Sequence, residues 1–373
     1  MTGTLRSLRL RRTAYYLYLL LFLFATPLVV LYTYGYRFDA RTISFVKTGA
    51  ISVSTDPRGA RVLLNKDSKL IRTPSVIKNV IPGTYTLSLT KDGYRDWQRE
   101  VTVRSRETTV VEKIVLFLEA EPTISFLEDG AMAVNASRDD DSYAYVKAGT
   151  SWYETWQVNS AGLEQSLLNR IAITDGMTPE EALRLSLYPA LTTYTFTTQG
   201  NEELVGKKSG SETISLAILP NGTYRAVQEV GDLVLVIEEN GTRLFLIDTQ
   251  TEGPPILVNA RANFFEWGGQ GLVYGDGLEA HHYVPEFGSD TLVTRSGETM
   301  LDARIINGHT FLLAFTDRVV AYDISDPAHP VTTTLMSDDG IKRAWLSEDK
   351  KMAYVAISDD SQNTSVSELP LRD

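Results

Sequence analysis

A mainly β chain behind a single membrane-spanning helix is the fold class that this sequence predicts. Three observations carry the prediction. Eighteen residues, Ala14 to Leu31, run without a charge directly behind Arg6, Arg9, Arg11 and Arg12. From Gly49 onward, short stretches alternate apolar and polar residues, the spacing of half-buried strands. In the C-terminal part, strand starts recur every 39 to 41 residues. Taken in order, the chain reads as a cytoplasmic basic tail (1–12), a transmembrane helix (13–34), a juxtamembrane linker (35–48), a small β-sandwich (49–119) and a β-propeller of about six blades (120–373).

The helix is the first element. Residues 13–34 rise about 33 Å at about 1.5 Å per residue, enough for a hydrocarbon core of about 30 Å. The arginines precede the span and no acid lies among the first thirteen residues. The positive-inside rule therefore predicts a cytoplasmic N-terminus and an extracytoplasmic bulk, single-pass in the cell membrane. Tyr15, Tyr16 and Tyr18 mark one end of the span, and Tyr32, Tyr34 and Tyr36 the other, as in the two aromatic belts of a bilayer. Pro27 predicts a kink rather than a break. The competing reading is a cleaved signal peptide. The length of the run and the lack of a clean small-x-small site favour an uncleaved signal-anchor.

The 373 residues hold 36 Lys and Arg against 47 Asp and Glu, a net charge of −11. Four of those basic residues precede the span, so the outer part is more acidic still. Such a surface repels nucleic acid. There is no cysteine, which excludes disulfides and thiolate chemistry. The length behind the helix exceeds what one compact core accommodates, so two or more domains are expected.

In the first outer module, Ile51 and Val53, Val62 and Leu64, Tyr85, Leu87 and Leu89, then Val101 and Val103 alternate with polar residues. Turn residues separate these runs: Asp56-Pro57-Arg58-Gly59, Asn65-Lys66-Asp67-Ser68, Pro82-Gly83 and Asp92-Gly93. An antiparallel sandwich is predicted. Gly59 and Gly93 stand where positive φ is needed, and Tyr94 and Trp97 read as core. These residues resemble the PEGA domain, whose Pro-Glu-Gly-Ala turn stands here as Pro57-Arg58-Gly59-Ala60. The downstream pattern is also present: Thr73-Pro74, Pro82-Gly83, Lys91, Gly93-Tyr94 and Trp97. Arg58 and Lys66 depart from the family, both in turns. The resemblance implies an extracytoplasmic sandwich of bacterial and archaeal surface proteins, a stalk or spacer role, binding to envelope components and no catalysis.

In the second module, strand starts at Leu233, Leu272, Phe311 and Met352 are spaced 39, 39 and 41 residues apart. Tyr194 lies one period earlier, and Tyr143 another 51 residues before it. A period near 40 with several strands per repeat predicts propeller blades. Stacked sandwich domains are the alternative. The excess before Tyr194 coincides with residues 178–187, where Thr178 caps, Pro179 takes the first position and Glu181 completes a capping box. This predicts a short helix between blades one and two, as a partner-contact insertion on the rim or a passive connection. The Trp-Asp signature of one common propeller family is missing.

No residue constellation names a reaction. His281 and His282 point to opposite faces of a strand, and neither they nor His309 and His329 have the spacing of a zinc site. Asp139-Asp140-Asp141 and Ser337-Asp338-Asp339-Gly340 lack the EF-hand ligand pattern. Trp152, Tyr153 and Trp156 read as blade packing, with sugar stacking the alternative. No catalytic, cofactor-binding or metal-ligating residue is singled out, and no cofactor is expected. The expected function is a non-enzymatic, single-pass, membrane-anchored cell-surface protein that displays the propeller for protein or glycan binding. Its partners are then the lipid bilayer, through residues 13–34, and an envelope protein or glycan, with no nucleic acid. Two alternatives stay open: an extracytoplasmic hydrolase or lyase using channel carboxylates, and an envelope assembly scaffold or sensor.

Overall fold

The apolar run folds as helix α1, Gly3–Thr33, in the computed structural model. That structure describes residues 3–39, 43–65, 67–128, 130–136, 142–159, 165–209, 212–239, 243–259, 261–268, 271–359 and 363–373. Of α1, the 21 residues Thr13–Thr33 have a mean hydropathy of 2.1 and none is buried against protein. They rise about 31 Å. Among the described residues this is the one helix long and apolar enough to cross a membrane. Pro27 lies inside it and has no N–H for the Leu23 carbonyl. The neighbouring Thr26 hydroxyl donates to Phe22 O at 2.7 Å. Gly35, at φ +80°, then turns the chain. Within the stretch read as a linker, Tyr36–Asp39 (β1) pairs antiparallel with Ser44–Lys47 (β2).

The chain divides into two compact units, Met1–Leu116 and Phe117–Asp373. In the first, Ser75–Val80, Gly49–Asp56 and Thr108–Val115 form one sheet in that order. Asp67–Arg72, Arg61–Leu64, Gly83–Thr90 and Trp97–Val103 form the other. Burial alternates strictly along Trp97–Val103, as a strand with one wet face requires. Ile51, Val53, Val62, Leu64, Leu87, Leu89, Val101 and Val103 all point inward, with Tyr94 and Trp97 beside them. Gly59 and Gly93 take φ of +91° and +80°; Lys66 lies outside the described residues. The sandwich is not wholly antiparallel. Gly49–Asp56 and Thr108–Val115 run parallel, because the intervening strands supply the long crossover that parallel neighbours need.

The second unit contains six sheets among the described residues. The first holds Ala131–Ala136, Ser142–Ala148, Trp152–Asn159 and Gln165–Ala172. The second has three strands, Tyr194–Gln199, Glu202–Ser209 and Glu212–Pro220. The third runs from Tyr224–Val230 through Leu233–Glu238 and Leu244–Asp248 to Leu257–Asn259. The fourth contains Phe264–Gly268, Gly271–Gly275, Glu279–Val284 and Ser289–Arg295. In the fifth lie Met300–Asn307, Thr310–Phe315, Arg318–Asp323 and Val331–Ser337. The sixth joins Ile341–Leu346, Met352–Ser358 and Thr364–Pro370 to Thr123–Leu127, a strand from the start of the unit. Each sheet is an antiparallel meander apart from that returning strand.

The arrangement is propeller-like because neighbouring sheets bury apolar faces against one another. Val273 and Ala280 of the fourth sheet pack with Phe311 and Leu313 of the fifth. Leu272 and Tyr274, on the opposite face of the fourth, pack with Leu235 and Leu246 of the third. Tyr143 and Tyr145 of the first pack with Trp345 and Tyr354 of the sixth.

Each of the six repeat markers falls in a different sheet. Five lie on the second strand, whereas Tyr194 lies on the first described strand of its sheet. Helix α2, Pro179–Leu187, stands in the chain where a first strand of the second sheet is expected. A helix advances about 1.5 Å per residue and a strand about 3.3 Å, so more chain is needed, in line with the longer spacing. Thr178 caps α2 as expected, accepting from the Glu181 N–H at 3.2 Å. Ala182, Leu183 and Leu187 cover Ala133, Ala144 and Val146 of the first sheet. The apolar face of α2 is thus occupied by its own core.

Candidate functional site: a charged cavity beside helix α2

With its apolar face on the first sheet, α2 turns Glu180, Glu181 and Arg184 the other way, at the spacing that places side chains on one helical face. They form one wall of an open cavity of about 710 Å³. Asp175, from the loop before the helix, Glu239, after the second strand of the third sheet, Asn263 and Arg343 also line it. Acids and guanidinium groups therefore face one space. Among the described residues, Asp175, Glu180, Glu181, Glu239 and Arg184 form no ion pair within 4.0 Å. Arg343 reaches Asp302 only at 3.9 Å. Arg184 donates to Glu239 O at 3.5 Å, and the carboxylates of Asp175, Glu180, Glu181 and Glu239 face the cavity without a paired cation among the described residues. A smaller chamber of about 40 Å³ shares Glu180, Arg184, Asn263 and Arg343 with this cavity and is also lined by Asn135, Tyr188 and Phe265. That is room for very few waters.

The depth of the unit is also polar. Asp302 is 1% exposed and Arg304 4%. Arg304 grips Asp302 with two nitrogens, both at 2.8 Å, and meets Glu266 at 2.5 Å. The Ala303 N–H adds a bond to Asp302 Oδ1 at 2.9 Å. Burial pushes the Asp302 and Glu266 carboxyls above the ordinary range, while Arg304 pulls both back. Glu266 is only half-buried, with 38% of its side chain accessible. Lys350 donates to Ile306 O at 3.1 Å, and burial holds its ammonium below the ordinary range.

Arg225 is different. It is 4% exposed, and its Nε and Nη2 find no hydrogen-bond partner among the described residues. Burial, then the Arg184 charge, lower its pKa; Glu239 and Glu181 oppose them.

Asn135, Arg225, Glu266, Asp302, Arg304 and Arg343 all lie on the first strands of their sheets. Sequence reasoning named none of them. Their signal was present: each stands six to nine residues before its repeat marker. Chemically, the cavity offers anionic and cationic contacts to a polar ligand. The Asp302–Arg304–Glu266 trio below it is internally paired.

The histidines are spread out. His281 stacks on Tyr274 at 5.3 Å and lies 3.4 Å from Asp290. His282 points the other way, edge-on to Phe311. His309 pairs with Asp323 at 3.4 Å and His329 with Asp326 at 3.2 Å. Among the described residues no three His, Cys, Asp or Glu side chains converge as a metal site. Asp338 and Gly340 form a turn whose Asp338 N–H donates to Asp317 O. Asp139, Asp140 and Asp141 lie outside the described residues. Of the candidate stacking aromatics, Tyr153 is buried, Trp156 packs against the core and Trp152 is 50% exposed.

Comparison with known proteins bears first on the sandwich: the family model described as PEGA domain matches residues 48–115. No curated protein matches the chain. Among solved structures, the C-terminal WD40 domain of Sif2 is similar at 14% identity, over 84% of this chain and 82% of that one, with a TM-score of 0.35. The Neurospora crassa Pan2 WD40 domain is similar at 12% identity, over 76% and 86%, with a TM-score of 0.34. An oligogalacturonate lyase in complex with manganese is similar at 12% identity, over 78% and 86%, with a TM-score of 0.35.

Proposed function

We propose, from a PEGA domain at residues 48–115 set between an apolar helix and a propeller-like unit, a membrane-anchored binding protein without catalytic activity. Helix α1 holds the chain in the cell membrane. The two β units are displayed outside it, and the α2 cavity takes a polar segment of an envelope protein or glycan. The observation that carries the binding role is the open cavity, lined by charges of both signs whose acids form no ion pair within 4.0 Å among the described residues. The pairing of Asp302 and Glu266 with Arg304 supports the non-enzymatic reading, because both carboxylates are already engaged.

The full chain in lipid nanodiscs, screened against glycan and peptide arrays, tests this. Binding that disappears in the Glu180→Ala/Arg184→Ala double variant supports the cavity. Ligands bound equally by both forms would sink it. Turnover of a bound glycan, lost in Asp302→Asn, would favour a hydrolase or lyase instead. Orientation has its own test, since the chain contains no cysteine. A membrane-impermeant maleimide should label Ser151→Cys but not Ser7→Cys in intact cells; the reverse pattern overturns the topology.

A further inference from the structure

We propose that the β1–β2 hairpin is a membrane-interface foot whose aromatic face lies in the lipid headgroup layer beside α1. The proposal rests on the reading of α1 as a membrane anchor.

Register is the first argument. Tyr36 faces Lys47 and Phe38 faces Phe45, while Arg37 faces Val46 and Asp39 faces Ser44. Directly opposed residues share a face, and successive residues alternate. One face therefore carries Tyr36, Phe38, Phe45 and Lys47, and the other Arg37, Asp39, Ser44 and Val46. On the first face the two phenyl rings meet edge-on at 5.5 Å, and Lys47 Nζ sits 5.2 Å from the Tyr36 ring. Aromatic rings with a snorkelling lysine are the composition of a bilayer interface.

Exposure is the second argument. Phe38 is 54% exposed and Phe45 45%. Neither strand pairs with any other described strand. An isolated two-stranded hairpin is marginal in water, so this one needs cover on its apolar face.

Position identifies the cover. The Thr48 N–H and hydroxyl both donate to Gly35 O, at 3.1 and 3.0 Å, closing the root of the hairpin. Arg37 donates to Tyr32 O at 3.1 Å, with its guanidinium 3.7 Å above the Tyr32 ring. The root is thereby fixed to the last turn of α1. Four-residue strands extend about 13 Å, so the phenyl pair stays within that distance of the point where α1 leaves the hydrocarbon. The interfacial layer there is about 5–8 Å deep. A hairpin lying along it places both rings in lipid and keeps Arg37 and Lys47 within reach of phosphate groups.

The absence of native cysteine makes the test clean. Single-cysteine variants of the full chain carry a nitrobenzoxadiazole label and are reconstituted into phosphatidylcholine–phosphatidylglycerol vesicles containing doxyl-labelled lipid. Phe45→Cys and Ile43→Cys report on the hairpin; the second retains both phenyl rings. Leu20→Cys reports on the helix, and Val76→Cys, exposed on the sandwich, serves as the aqueous reference. The expected result is blue-shifted emission, largely lost to the doxyl lipid, at positions 20, 43 and 45 but not at 76. Quenching at 20 with aqueous behaviour at 43 and 45 overturns the foot and leaves the anchor standing. A blue shift at 43 and 45 without lipid quenching means that protein covers the hairpin, and also overturns it. No quenching at 20 refutes the anchor itself.

Discussion

Replacing Arg304 by Met tests the buried trio most directly. The substitution removes the group that grips Asp302 at 2.8 Å with two nitrogens and touches Glu266. With charge centres about 4 Å apart and an effective dielectric of about 20, one such pair is worth about 4 kcal/mol. Breaking a buried pair and stranding its partner costs about 3–5 kcal/mol. Urea unfolding of the full chain in detergent, followed by tryptophan emission, reads that loss; Trp345 is buried in the sixth sheet. The pH dependence supplies a second check. Without Arg304 the Asp302 carboxyl rises further above its ordinary value. A carboxyl raised on folding contributes stability that is present at low pH and is lost as pH climbs through its folded pKa. The variant should therefore be closer to the parent at pH 5 than at pH 8, and Asp302→Asn/Arg304→Met should recover part of the loss. A cost below about 1 kcal/mol, or an equal cost at both pH values, refutes the reasoning.

Three further outcomes are expected. Leu183→Ala, which empties a site between α2 and the first sheet, should cost about 2–5 kcal/mol in the same unfolding assay; a loss no larger than that of an exposed helix residue would show that α2 is loosely packed. A Cβ at Gly275 would lie 2.2 Å from Glu279 O and 2.3 Å from the Phe264 ring, so Gly275→Ala should lower the melting temperature sharply. Gly253→Ala, with nothing within 4 Å, should leave it unchanged. Burial pushes Tyr143 and Tyr145 each up to about 12, with Glu368 and Glu128 adding to it. Both favour the folded state while neutral, so stability should fall as pH rises from about 10 to about 12; Tyr143→Phe should flatten that slope, and an unchanged slope counts against its burial.

Much of the sandwich was legible in residues 49–115, because a sheet with one wet face writes its burial into every second residue. Val62, Leu64, Leu87 and Leu89 point inward as their spacing requires. The parallel pairing of Gly49–Asp56 with Thr108–Val115 was not legible, since period-two patterning is the same in either direction. The period near 40 located one strand in each of six sheets. It did not reveal that Thr123–Leu127 completes the last of them, a pairing between residues some 240 positions apart. The cavity was less visible still. Glu180, Glu181 and Arg184 read as the solvated face of a short helix, and their meeting with Glu239 and Arg343 depends on how α2 packs.

The sequence by itself determined the apolar span, the alternation of the strands, the turns at Gly59 and Gly93, the repeat and the cap on α2. All of these are local: hydropathy, φ preference and hydrogen-bonding capacity act within a few residues. Only the tertiary structure decided that α2 packs on the first sheet, that Arg304 joins Asp302 to Glu266, and that Tyr36, Phe38, Phe45 and Lys47 share one hairpin face. Those outcomes depend on register and on packing between segments distant in the chain, where a one-residue shift in pairing exchanges the two faces of a strand.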